Sequence, residues 1–166
     1  MSADKLLRVT EATEKDVPLI LRFIRDHAEF EKALDRLSIT KDRLNALLFG
    51  PQPGAEVLIA YLGEEPAGFA MYYFSCSSYT GLPNLYLEDI FVTPAYRGSG
   101  VGKKLLASLA LRANERGCGR MEWCVLSWNE SAVGFYERLG AAPVRDWTVF
   151  HMGKNAMDEL AKFAEG

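Results

Sequence analysis

The sequence predicts an α/β domain on a mixed sheet of about six to seven strands, antiparallel in its N-terminal half, with a parallel crossover at its centre and helices on both faces. Three observations predict it. Strand-like apolar runs at Glu56–Leu62, Ala67–Phe74 and Asn84–Val92 are joined by "GEEP" and "SCSSYTGLP", links short enough to favour antiparallel neighbours. Beyond Val92, a leucine-rich helical pattern from about Gly100 to Arg116 leads into a further strand, Arg120–Leu126. Strand, helix and strand at this length form a crossover, which makes the two strands parallel. No repeat, low-complexity tract or Gly/Ser linker interrupts the 166 residues, so they read as one domain, 1–166.

The elements follow in order. "LLRVT" (Leu6–Thr10) reads as the first strand. Thr13 can cap a helix with Val17, Ile20, Leu21 and Ile24 on its apolar face, and the acidic stretch Glu29–Asp35 ends or follows it. Thr40 caps a second helix carrying Leu44, Leu47 and Leu48, which Gly50 stops. The crossover helix presents Val101, Leu105 and Leu109 on one face and ends at Gly117. In the last third, Asn129 caps a helix Glu130–Leu139 stopped by Gly140. Strand-like "APVRDW" and "TVFHM" come next, then a terminal helix near Asn155–Phe163.

Composition narrows the function. Lys plus Arg total 19 against 22 Asp plus Glu, a net charge of −3, which argues against a nucleic-acid partner and suits a cationic substrate. The three cysteines, Cys76, Cys118 and Cys124, form no C-x-x-C pair, so neither a disulfide framework nor a zinc site is expected. Two histidines, His27 and His151, are too few to argue for any metal. The opening "MSADKLLRVTEATEKD" lacks an apolar core for a leader, and no run approaches the roughly 20 apolar residues of a membrane span. The expectation is a cytoplasmic protein with no membrane partner.

"YRGSGVGKK" (Tyr96–Lys104) carries the chemistry. A P-loop would need glycine where Arg97 stands and Ser or Thr where Lys104 stands; a dinucleotide fingerprint would need different spacing from Gly98, Gly100 and Gly102. What remains is Arg97-x-x-Gly100-x-Gly102 at a strand-to-helix junction. Glycines let a backbone approach an anion, and a helix's first turn offers unpaired N–H groups at a positive dipole end. A pyrophosphate fits there, with Arg97 and Lys103 nearby; a glycine-rich cap on a tight turn would look the same.

R-x-x-G-x-G after "LEDIFVTPAY" resembles the acetyl-CoA loop of the GNAT superfamily of N-acetyltransferases, and "WNESAVGFYERLGA" resembles that superfamily's final motif. With "GFAMYYF" and "LYLEDIFV", these blocks closely resemble the spermidine/spermine N-acetyltransferase family over about Leu19–Trp147. The resemblance implies a GNAT-like fold, acetyl-CoA as cosubstrate and a homodimer; no metal is expected from the residues. It places the coenzyme on Arg97, Gly98, Ser99, Gly100, Val101, Gly102 and Lys103, on the backbone of Ile90, Phe91 and Val92, and near Asn129 and Ser131. It also implies Glu88 as proton acceptor through water and Tyr136 as general acid to the departing thiolate.

These roles suit the chemistry. A primary amine has a pKa near ~10.4, so at pH 7 it must lose a proton before attacking a thioester, and the thiolate that departs must gain one. Glu88 and Asp89 lie in an otherwise apolar strand, where carboxylates need a partner, water or a task. Period-two alternation puts Tyr86, Glu88 and Ile90 on one face and Leu85, Leu87, Asp89 and Phe91 on the other. A pair of salt-bridged strand acids, and a tyrosine packed with Val133 and Leu139, are the plainer alternatives. Cys124 in "RMEWCVL" reads as a small core residue rather than a nucleophile.

The resemblance puts amine contacts at Phe30, Glu31, Ser77, Tyr79 and Trp147, with Asp89 either helping the cationic site or structural. Acidic and aromatic groups suit an ammonium. Polyamine-type members carry acids where this chain has Ser77 and Ser127, whereas "AEFEK", "CSSYTG" and "VLSWN" resemble the thialysine-acetylating branch. A small diamine, thialysine or lysine-like amine is therefore favoured over a long polyamine. A protein N-terminal or lysine acetyltransferase and a non-catalytic acyl-CoA sensor stay open as alternatives.

Overall fold

A computed structural model describes residues 6–164. Residues 1–5 and 165–166, which the single-domain reading and in part the leader reading included, lie outside the described residues. The chain forms two compact units, one through Cys124 and one from Val125 onward.

The first unit begins with β1 (Leu7–Glu11). Thr13 opens a 3-10 turn rather than the helix itself: its N–H donates to Asp16 Oδ2 at 2.8 Å, and α1 (Val17–Phe30) starts behind it with Pro18 in its first turn. The second helix matches expectation. Thr40 Oγ1 accepts from the Arg43 amide at 3.2 Å, α2 runs Lys41–Phe49, and Gly50 follows. β2 (Glu56–Leu62), β3 (Glu65–Cys76), β4 (Pro83–Val92), α3 (Val101–Glu115) and β5 (Met121–Trp123) complete the unit.

The five strands lie in the order β1-β2-β3-β4-β5, antiparallel except for the parallel β4–β5 pair that the crossover helix requires. On one face Val57, Ile59, Phe69, Met71 and Phe91 form a core with Val17, Ile20 and Phe23 of α1 and Leu44 and Leu48 of α2. The intervening residues, including Leu58, Ala60, Ala70 and Tyr72, are buried on the other face, where α3 lies across β1–β4 through Val101, Leu105 and Leu109. Phe23 stacks on Phe69, with ring centroids 5.5 Å apart and planes within 2°.

The second unit holds α4 (Glu130–Arg138) and α5 (Lys154–Ala161). Asn129 caps α4 as expected, its Oδ1 accepting from the Ala132 amide at 3.2 Å. The runs "APVRDW" and "TVFHM" form no strands, which is why the sheet has five strands rather than six or seven. Trp147, Val149 and Phe150 in this stretch are exposed. Alternation along one segment cannot supply the hydrogen-bonded neighbour that makes a strand.

Candidate active site

Gly98 and Gly100 adopt φ of +79° and +86°, the left-handed region that costs a side chain strain. A Cβ at Gly98 would meet nothing within 4 Å, so backbone conformation, not crowding, calls for glycine there. The α3 ladder begins with the Lys104 amide donating to the Gly100 carbonyl at 2.9 Å, which leaves the amides of residues 101–103 outside it. Ser99 is tied down, its hydroxyl donating to the Tyr96 carbonyl at 2.5 Å. Bare amides, an open approach and the positive end of a 15-residue helix fit a diphosphate. Arg97 behaves differently from a simple loop cation. Its Nε donates to the Val92 carbonyl at 3.1 Å, and its guanidinium lies 4.7 Å from the Phe30 ring centroid and 5.8 Å from that of Phe91.

The acidic pair sits on an irregularity that corrects the simple alternation. Met71 pairs with Asp89 but Tyr72 pairs with Leu87, so Glu88 is the extra residue of a β-bulge. The bulge reverses the strand's phase. Tyr86, paired with Tyr73, shares a side with Asp89 and Phe91, whereas Leu85 and Leu87 share a side with Ile90. Glu88 is open to solvent along part of its length, yet partial burial and the neighbouring Asp89 carboxylate raise its pKa above the ordinary glutamate value.

The bulge also marks where β4 loses a neighbour. Its ladder with β5 spans only Leu85–Leu87 against Met121–Trp123. Among the described residues no strand pairs with that edge at Ile90, Phe91 or Val92. An unpaired strand edge beside the glycine loop is suited to accept amide groups from a ligand's arm. Just before it, Tyr73 and Tyr86 stack with centroids 5.0 Å apart, and Tyr86 Oη lies 3.3 Å from Cys124 Sγ. That contact, with burial, raises the Tyr86 pKa, and Glu88 and Cys124 add to the rise. Cys124 is exposed, not the core residue the sequence suggested, and its partner is a phenol rather than a general base.

His27, to which the sequence gave no role, joins the helix to the acidic strand. Its Nδ1 lies 3.4 Å from Asp89 Oδ1, its Nε2 lies 3.3 Å from Glu31 Oε1, and its ring packs 5.8 Å from Phe91. Burial opposes its charge, but the Asp89 and Glu31 carboxylates outweigh that and raise its pKa above the usual imidazole value. Beside this group a cleft of about 300 Å³ is lined by Asp26, Glu29, Phe30, Phe91, Pro94 and Arg97. The structure therefore brings Glu31 and Asp89 together through His27, with Phe30 lining the neighbouring cleft.

Ser77 and Tyr79 are not part of this group within one chain. They lie in the β3–β4 loop beyond Pro83, roughly 20 Å along the strand from Asp89 by strand rise. Ser77 is buried and its hydroxyl accepts from the Thr80 amide, while Tyr79 is exposed. In the second unit, Ser131 and Trp147 are exposed. Tyr136 packs beside Phe135, with centroids 5.5 Å apart, and burial raises its pKa.

The sequence profile of the Acetyltransferase (GNAT) family matches residues 21–141, most of the chain. The chain belongs to the GNAT family. It is an N-acetyltransferase, with relatives of the same kind. A thialysine N-epsilon-acetyltransferase of Sus scrofa is 40% identical over 164 residues, covering 92% of this chain and 96% of that protein. A human spermidine/spermine N(1)-acetyltransferase-like protein 1 is 34% identical over 95% of this chain, which spans 24% of that longer protein. Among solved structures, an integron cassette protein from the mobile metagenome of V. cholerae superposes with a TM-score of 0.78 at 26% identity, covering 94% of this chain and 98% of its own.

Proposed function

We propose that this GNAT enzyme moves an acetyl group directly from acetyl-CoA to the primary amine of a small cationic molecule, of the thialysine, lysine-like or diamine kind. The observation that carries the reading is the left-handed glycine loop opening α3 beside the unpaired edge of β4. In this reading the loop from Gly98 to Lys103 holds the diphosphate, with the amides of residues 101–103 as donors, and the backbone of Ile90, Phe91 and Val92 pairs with the pantetheine amides. Arg97 contributes by bracing Phe30 and Phe91 against the strand end. Asn129 and Ser131 contact the coenzyme from α4.

The amine's charge is met by Glu31 and Asp89, with Phe30, Ser77, Tyr79 and Trp147 as further contacts. Glu88 takes the ammonium proton through water; its raised pKa makes it a better base than an ordinary glutamate. The amine attacks the thioester carbonyl, the C–S bond breaks, Tyr136 gives its proton to the thiolate, and the proton that the new amide nitrogen sheds restores the phenol. Burial keeps that phenol protonated at neutral pH. No covalent enzyme intermediate is needed when both substrates are held in line.

The single-domain reading belongs to the same proposal, supported by a family match that runs across the boundary after Cys124. So does a homodimer. Trp147, Val149, Phe150 and Met157 of the second unit expose apolar surface that a second copy would cover. Cytoplasmic residence is the accompanying expectation; among the described residues no helix is long and apolar enough to cross a membrane.

A thiol-release assay with acetyl-CoA and a panel of thialysine, lysine, ornithine, diaminopropane and spermidine tests the function. Turnover is expected with the short amines. Acetylation of peptides alone, or coenzyme binding without turnover, refutes it.

A further inference from the structure

His27 enters none of the chemistry above, yet it touches two of the groups assigned to the amine. It lies between Asp89 on β4 and Glu31 one helical turn further along α1, with one ring nitrogen directed at each. The imidazole is largely buried, with its side chain 16% exposed. The acids sit at opposite nitrogens, so the three groups do not converge on a point as metal ligands would. The other nearby cation, Arg97, is held by the Val92 carbonyl and by the Phe30 and Phe91 rings.

We infer that protonated His27 is a built-in competitor of the substrate ammonium: it occupies Asp89 and Glu31 until an amine or a rise in pH displaces its charge. The inference rests on the amine-site reading given above. An imidazolium between two carboxylates does what a bound ammonium would do, offsetting one of their two charges and leaving less attraction for a second cation. Loss of its proton makes the group more negative by one charge, restoring the full attraction of both carboxylates. Among the described residues, Asp89 of β4 and Glu31 at the C-cap of α1 are the carboxylates paired with His27, and the Phe91 ring packs beside it. Glu88, next to Asp89, adds negative charge on the same strand.

His27 is thus a positioning and specificity residue. In its charged state the site discriminates against amines that rely on one weak charge and against low substrate concentrations. In its neutral state one ring nitrogen donates to one acid and the other no longer does, which frees a carboxylate for the ammonium. The substrate amine stays almost wholly protonated throughout this range, so its own titration does not obscure the effect.

The test measures thialysine KM, acetyl-CoA KM and kcat for wild type and His27→Gln between about pH 6 and 8.5. In wild type, thialysine KM should fall as pH rises through the His27 titration, approaching about tenfold per pH unit on the acid side if competition is exclusive. In His27→Gln, thialysine KM should be nearly pH-independent and several-fold lower than wild type at the acid end. The acetyl-CoA KM should show the same pH profile in both proteins. By reciprocity, saturating thialysine should lower the His27 midpoint in an imidazole ¹⁵N NMR titration of the wild-type enzyme, a readout that survives a variant that folds poorly.

Equal thialysine KM profiles in the two proteins, or an imidazole midpoint unmoved by saturating thialysine, overturn the inference. Acetyl transfer that proceeds with such an unmoved midpoint overturns only the role of His27. A lack of transfer to any amine in the panel overturns the function on which it rests.

Discussion

Replacing Gly100 by alanine separates the coenzyme loop from an ordinary helix cap. Gly100 has φ of +86°, and the nearest atom a Cβ would meet is Leu7 Cδ2 at 4.0 Å, so the cost is conformational rather than steric. Holding an alanine in the left-handed region costs about 1–2 kcal/mol. If the loop keeps its shape, that cost falls on stability, lowering Tm by about 2–8 °C for a chain of this length. If the free loop relaxes to negative φ, the strain is deferred until the coenzyme binds, and Kd rises by about 5- to 30-fold. The two losses together should amount to about 1–2 kcal/mol or more, because a Cβ also stands where a diphosphate would approach. Gly117, at φ +67° with nothing within 4 Å beyond the other end of α3, is the control. Gly117→Ala should lose comparable stability and leave coenzyme affinity unchanged. Calorimetry with CoA and thermal melts measure both quantities. Gly100→Ala with unaltered Tm and Kd, or Gly117→Ala weakening coenzyme binding equally, refutes the reasoning.

Other variants probe the remaining parts. Tyr136→Phe should lower kcat by about 10²–10⁴ while CoA affinity by calorimetry stays close to wild type; full activity removes the phenol as the acid. Wild-type kcat should rise with pH through the elevated Glu88 pKa, since the base must be ionised, and Glu88→Gln should abolish that acid limb in a pH–rate profile. Gly68→Ala would put a Cβ 2.5 Å from the Phe91 carbonyl oxygen, forcing β3 and β4 apart. Urea unfolding should register a loss of about 1–3 kcal/mol there. The His27 pKa is raised in the folded state, so its ion pairs stabilise fully below the ordinary imidazole value and are lost as pH rises through the raised one. The stability gap between wild type and His27→Gln in urea should therefore close as pH increases.

Local signals were enough for much of the fold. Thr40 and Asn129 cap their helices because a side-chain oxygen three residues from an amide is a property of the sequence itself. The parallel β4–β5 pair followed from the length of the connecting helix. The bulge did not show, since nothing in "LYLEDIFV" distinguishes a strand of constant period from one that gains a residue at Glu88; that depends on Met71 and Tyr72 across the ladder. The absent C-terminal strands fail for the same reason, as partners decide strands. The glycine loop and the grouping of Phe30, Glu31 and Asp89 were legible through motif resemblance. His27 was half legible: its spacing to Glu31 on one helix is local, but Asp89 comes from a strand about sixty residues away.

The extra residue in β4 shifts the alternation by one position, so that Leu85 and Leu87 before it share a side with Ile90 after it. Deleting residue 88 would leave Asp89 facing His27 and Leu85 and Leu87 on the side of α3, because Tyr72 and Met71 already pair with Leu87 and Asp89 in succession; it would remove only the bulge and its carboxylate. The bulge thus lets the strand carry one more side chain without moving any neighbour to the other face. A flat ladder that kept Glu88 in regular pairing would instead have to turn either Asp89 from His27 or Leu85 and Leu87 from the hydrophobic seam.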